Sequence, residues 1–376
     1  MKLSGLRVID LSVFLPGPYL TLALADHGAE VIKVEAPGGD PGRRIGLADG
    51  GSTVFFRNLN RGKKSVVLDL KQPRERDALL RLCRTADVFV ESFRPGVVDR
   101  LGVGYERVAA LNPRIVYCSI SAFGQNGPYR DRPAHDLAIE AVSGVLSMTL
   151  GDDGRPAIPG IPFADINAAL QGLSGILMAL LQRVRTGVGD YLDIAMHDAL
   201  LAATPNIVGS VFAQNRAPEP KHERTTGGAA FYRLYDTRDG KQIALAGQET
   251  KFAERVLNAL ERPDLLSLCA RGPGPHQAPV AECLQTFFAQ KTQQECLDWL
   301  TDLDVCFAPV NTLLEALDDA NVRARSAVFV DDAGRRHLAP PIRFAAEPAQ
   351  PRLKVPSLGE HTEEILADLD ADEGAW

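Results

Sequence analysis

Asp165 stands alone in an apolar frame, Ile161-Pro162-Phe163-Ala164-Asp165-Ile166-Asn167, where a run rich in Ala, Leu and Gly begins. A carboxylate there has two readings. It caps a helix, as Asp commonly does, or it is a functional group whose burial raises its pKa. Pro133-Ala134-His135-Asp136 opens another helical stretch after a polar, Gly- and Pro-rich loop at 124–132. A histidine at a helix start faces the positive end of the dipole, which favours the neutral, base-competent imidazole. A structural histidine beside a capping Asp136 is the plainer alternative. Gly247-Gln248-Glu249 presents a third candidate acid at the end of a strand, where a surface glutamate is the default.

With 41 Lys and Arg against 48 Asp and Glu, the formal net charge is −7. That balance argues against nucleic acid or an anionic membrane as an electrostatically drawn partner, so an anionic ligand must be held by local basic residues. Ser92-Phe93-Arg94-Pro95-Gly96 follows a strand and puts Arg94 at the carboxyl edge of a sheet. Ligands bind at that edge in open α/β folds, and a guanidinium pairs with phosphate bidentately. A solvated turn arginine is the alternative. Asn60-Arg61-Gly62-Lys63-Lys64 and Arg43-Arg44 are further basic spots, which composition alone leaves as solvated faces.

Other chemistries find little support. The first strand turns through Val13-Phe14-Leu15-Pro16-Gly17-Pro18, with one glycine where a dinucleotide fingerprint needs three. Glu35 therefore stands where a ribose-binding acid would stand, but without the phosphate loop. No G-x-S-x-G elbow, P-loop or H-E-x-x-H occurs. His361 and Glu364 share a helical face but make a poor metal set. Six cysteines without a C-x-x-C pair suit neither zinc nor a disulfide framework. The reading is a protein with no metal and no resident cofactor, its thiols reduced, in the cytoplasm. No secretory leader pattern opens the chain, and no uninterrupted run of 18 apolar residues suggests a membrane span.

Short apolar, β-branched runs at 6–11, 29–34, 66–70, 88–91 and 115–119 alternate with helical stretches such as 74–85. That alternation predicts β-α-β units and a parallel sheet covered on both faces. Helices are predicted over 137–146 and 166–184, and a further strand over 191–194. From Gly227 the texture changes: runs at 231–236 and 242–246 flank Arg238-Asp239-Gly240, a hairpin signal. The length favours two domains. The reading is a large α/β domain over 1–200 with a C-terminal return at 330–376, a linker at 201–224, and a smaller α+β domain over 225–325.

Taken in order, these segments resemble the class III CoA-transferase and α-methylacyl-CoA racemase superfamily. The resemblance covers essentially the whole chain. It rests on Leu6-Arg7-Val8-Ile9-Asp10-Leu11 with Pro16-Gly17-Pro18, on Gly28-Ala29-Glu30-Val31-Ile32-Lys33-Val34-Glu35 and on Asn60-Arg61-Gly62-Lys63-Lys64. It continues through Phe93-Arg94-Pro95-Gly96, Gly124-Gln125-Asn126-Gly127-Pro128, the Asp165 helix, Arg185-Thr186-Gly187-Val188-Gly189 and Leu358-Gly359-Glu360-His361-Thr362.

The resemblance implies a Rossmann-like large domain that binds no dinucleotide, an interlocked homodimer, and acyl-coenzyme A as substrate. It implies that Arg94, with Arg61 and Arg43, holds the CoA moiety. In the transferase branch the residue matching Asp165 is a nucleophile that attacks the thioester and later carries CoA as an aspartyl thioester. In the racemase branch it is one of two acid/base groups about the α-carbon, the other matching His135, supported by a glutamate matching Glu249. All three racemase residues are here, and Gly227-Gly228-Ala229-Ala230-Phe231-Tyr232 is racemase-like. Phe163-Ala164-Asp165-Ile166-Asn167-Ala168-Ala169-Leu170 is closer to a transferase helix start. The balance leans to the racemase, with the transferase as the alternative and a non-catalytic partner subunit as a second. Backbone N–H groups at the two helix starts are the expected donors for an enolate oxygen.

Overall fold

The computed structural model describes residues 1–151 and 153–373. The chain forms two compact units: 1–143, 160–203 and the chain from Asn321 on make the first, and 144–159 with 204–320 the second. The segment 144–159 thus belongs with the second unit, as do 201–224 from Thr204 on. The end of the expected C-terminal return, 374–376, lies outside the described residues.

The first unit is built on β1 (Arg7–Asp10), α1 (Pro16–Asp26), β2 (Glu30–Glu35), α2 (Val54–Asn60), β3 (Lys64–Val67), α3 (Pro73–Thr85) and β4 (Val88–Glu91). It continues with α4 (Val97–Arg100), α5 (Tyr105–Leu111), β5 (Val116–Ser121), α6 (Asp136–Val142), α7 (Phe163–Thr186), β6 (Asp190–Ala195) and α8 (Met196–Leu201). The six strands are all parallel, in the order β3-β2-β1-β4-β5-β6. This is the doubly wound order whose strand sequence reverses between β1 and β4, the place where open α/β sheets hold ligands at the carboxyl ends. Both faces are covered, which is why the strands read as continuous apolar runs instead of alternating ones. On one side Ile9, Phe89 and Tyr117 pack with Leu79 and Leu82 of α3, Val108 of α5 and Ile365 of the C-terminal helix Thr362–Glu373.

On the other side α7 packs on α1. Small residues set the separation: a Cβ added to Gly172 would lie 2.6 Å from Leu20 Cδ1. Helix α7 stops at Gly187, whose φ of 75° forms a left-handed C-cap. By length and composition α7 is apolar enough to cross a membrane, although Asp165, Asn167, Gln171 and Arg183 interrupt its apolar run. One face is packed, and Arg183 on it is buried, bonded to Asp87 at 2.8 Å and to the Arg114 carbonyl at 3.0 Å.

Three elements differ from expectation, and one is α7, which begins at Phe163, three residues before its expected start. The third strand runs Lys64–Val67 and not 66–70, because Asp69 accepts the N–H of Lys71 at 3.1 Å and turns the chain toward α3. Helix α6 ends at Val142, and Gly144 follows with φ 80°. The C-terminal segment returns to the edge strand: His361 Nδ1 accepts the Ser65 N–H at 3.2 Å and Glu364 pairs with Lys64 at 3.0 Å. Both are thus committed to structure, and no group of His, Cys, Asp and Glu suited to a metal occurs among the described residues.

The second unit carries α9 (Gly209–Gln214), the hairpin β7 (Tyr232–Asp236) and β8 (Gln242–Ala246), then α10 (Thr250–Ala259), α11 (Leu266–Cys269), α12 (Ala278–Phe288), α13 (Gln293–Thr301) and β9 (Phe307–Pro309). Its three strands form an antiparallel sheet, β9-β8-β7. The Asp239-Gly240 turn lies at the expected hairpin, with Gly240 at φ 73°. Tyr235, Ile243 and Leu245 pack with Val256, Leu284, Phe288 and Leu300 in a core of the unit's own.

Candidate active site

Asp165 is the third residue of α7, and the helix start is saturated by other carboxylates. Asp136 Oδ1 accepts the N–H of Ala164 at 2.8 Å and of Asp165 at 3.1 Å, while Glu140 Oε1 accepts the N–H of Phe163 at 3.1 Å. Asp165 is therefore not the cap. Asp136, itself the first residue of α6, caps α7 across space instead of its own helix. The arrangement has an electrostatic consequence. The free N–H groups and dipole that would stabilise an ionised Asp165 are already engaged, and two further acids stand close by. Burial, then Asp136, then Glu140 push the Asp165 carboxyl up to about 7. Glu140 is fully buried and also raised, by burial and by Asp136, and its Oε2 has no hydrogen-bond partner among the described residues. Sequence reasoning missed Glu140; its only signal is its place one helical turn after Asp136.

This geometry also corrects the expected enolate donors. Those at the start of α7 are consumed by Asp136 and Glu140. The N–H groups of Asp136 and Leu137 make no such bonds among the described residues.

His135 is the N-cap residue of α6, exposed, with its ring edge-to-face with Phe14 at 5.7 Å between centroids. The loop before it is pinned to the sheet edge, where Gln125 N–H donates to Asp193 at 3.0 Å. Glu249, in the second unit, caps α10 by its backbone, just beyond β8. It is exposed, and its carboxylate makes no hydrogen bond among the described residues of its unit.

The three expected CoA-binding arginines differ sharply. Arg94 is exposed in the turn after β4, at the carboxyl edge of the sheet, and its guanidinium bonds nothing among the described residues. Glu91 sets that turn by accepting the Phe93 N–H at 2.8 Å. Arg61 is buried and bonded to Asp26 at 2.6 Å. Arg43 is held by both oxygens of Glu35, at 2.7 and 2.6 Å, and stacks 4.0 Å from the Phe56 ring centre. It nevertheless lines a groove of about 410 Å³ with Arg335 and Lys354. Glu35, the acid in the ribose position, is spent on Arg43, on the Asp40 N–H and on Ser65.

A family description, CoA-transferase family III, matches residues 3–362. The chain belongs to that family. It is 31% identical to the succinyl-CoA–L-malate CoA-transferase beta subunit of Chloroflexus aurantiacus, over 98% of this chain and 94% of that one. It is 33% identical to human α-methylacyl-CoA racemase, again over 98% and 94%. A crystal structure of a CaiB/BaiF family protein from Brucella suis superposes with a TM-score of 0.85 at 31% identity, covering 98% of this chain and 99% of the other. This family III protein is accordingly an enzyme of acyl-CoA chemistry, a CoA-transferase or an acyl-CoA racemase.

Proposed function

We propose that the chain is a 2-methylacyl-CoA racemase-like enzyme that exchanges the α-proton of a CoA thioester between His135 and Asp165. One observation carries the reading: Asp136, the neighbour of His135 in sequence, accepts the backbone N–H of Asp165 at 3.1 Å. Adjacent Cα atoms lie about 3.8 Å apart, so this bond holds the two helix starts in one small region. Inverting a carbon needs one group to take the proton and another to return it from the opposite face. A carboxyl pushed up to about 7 at one helix start and an imidazole at the other supply the two acid/base groups that such an exchange needs. The N–H groups of Asp136 and Leu137 are the donors left for the enolate oxygen. Arg94 is the proposed phosphate contact.

The transferase reading is favoured by the name of the Chloroflexus relative. There Asp165 would attack the thioester carbonyl and expel CoA thiolate, leaving a mixed anhydride. Incubation of one epimer of a 2-methylacyl-CoA, with no carboxylic acid added, separates the two. The proposal expects the opposite epimer to accumulate, and His135→Ala to stop it. In a parallel incubation with a carboxylic acid added, transfer of CoA to that acid with the configuration retained throughout would refute it.

We also propose that a second copy covers the outer side of α7, where Met178, Leu181 and Val184 are 66%, 70% and 83% exposed. A stripe of that kind on a helix this apolar is costly to leave in water.

A further inference from the structure

Phe14 adopts a left-handed backbone, with φ 63°. For a bulky aromatic residue this is a strained conformation that persists only where the surroundings impose it. They do so on both sides. The Ser12 N–H donates to Asp10 at 3.0 Å, the Ser12 carbonyl accepts Lys33 Nζ at 2.9 Å, and the Val13 N–H donates to Ser92 at 3.0 Å. Lys33 is in turn paired with Asp40 at 2.8 Å, both side chains 1% exposed, and Asp40 Oδ1 lies 3.4 Å from the Phe14 nitrogen. Gly17 closes the loop so tightly that a Cβ on it would lie 2.1 Å from that of Ser12.

What the strain achieves is visible in the ring. Phe14 does not enter the core but stays 37% exposed, edge-to-face with His135 at an interplanar angle of 83°. The imidazole makes no hydrogen bond among the described residues of its own unit, and the Phe14 ring is the aromatic neighbour it has there. Burial alone would have turned the phenyl group inward; the loop turns it out, toward the histidine.

We propose that Phe14 is a positioning residue for His135: the strained β1–α1 loop holds its ring against the imidazole and sets the direction in which the proton-exchanging nitrogen points. The inference rests on His135 as an acid/base group.

Three variants test it. Phe14→Gly removes the ring and relieves the backbone, Phe14→Leu removes the ring alone, and Phe14→Tyr keeps the ring. The expected result is that Gly and Leu each lower kcat for epimerisation by roughly tenfold or more, with KM within about threefold, while Tyr stays within about threefold of the parent. Phe14→Gly should melt at the same temperature or higher, since it removes strain. The readout that does not need turnover is the imidazole proton resonance of His135 in substrate-free enzyme, assigned by its loss in His135→Ala. It should carry a ring-current shift that vanishes in Gly and Leu and survives in Tyr. An unchanged kcat in Gly and Leu overturns the proposal, as does an unmoved His135 resonance. A chain that epimerises nothing yet shows the resonance change refutes the racemase reading and leaves the positioning contact standing.

Discussion

At the residue scale the decisive quantity is the proton on Asp165. Partial burial, Asp136 and Glu140 push its carboxyl up to about 7. Under two-base chemistry the sign depends on the direction. For the epimer to which Asp165 returns the proton, it must start protonated, so turnover falls as pH rises through about 7. For the other epimer it must start ionised, and turnover rises over the same range. Asp136→Asn keeps an acceptor for the two N–H groups but removes a negative charge, so both limbs should move to lower pH in a pH–rate profile. Limbs that stay in place would separate Asp136 from the tuning of Asp165. Arg94→Ala should weaken CoA-ester binding by about 1.5–3 kcal/mol if a charge-assisted hydrogen bond is lost, and less at high salt. Calorimetry with CoA reads this directly, and an unchanged affinity removes Arg94 from the site. Asp165, His135 and Arg94 were legible because each follows a turn at the start or end of a recognisable element. Glu140 and Phe14 were not: one is an acid on a helix face that any solvated helix carries, the other depends on a backbone angle that no residue type announces.

At the element scale the seating of α7 sets the position of Asp165. Its start is capped by Asp136 of α6, and removal of that acceptor by Asp136→Ala leaves two N–H groups unpaired. The expected cost is about 1–2 kcal/mol in denaturant unfolding, with Asp136→Asn recovering most of it. Equal stability of the Ala and parent proteins would mean that the cap is not formed. The alternation of apolar runs and helical stretches foretold the parallel sheet, and Asp239-Gly240 foretold the hairpin, because both are local patterns. The sequence left open whether Asp165 caps α7, because spacing along the chain cannot reveal an acceptor 28 residues away. The third strand was placed two residues late because Leu68 and Leu70 continue the apolar run after the ladder has ended.

At the scale of the whole molecule, a two-fold assembly is expected from the apolar outer side of α7. Light scattering at micromolar concentration should give twice the 40.6 kDa chain mass, and Leu181→Glu should shift it toward the monomer; a parent protein of single mass contradicts the assembly. The central claim is that Asp165 moves a proton and makes no bond to carbon. It is tested most directly by incubating one epimer of a 2-methylacyl-CoA in deuterated water without an acceptor acid, following the α-carbon and the protein mass together. The account predicts deuterium at the α-carbon of both epimers and an intact protein of unaltered mass. An acylated or CoA-bearing Asp165, captured by hydroxylamine while the α-hydrogen stays unexchanged, would contradict it.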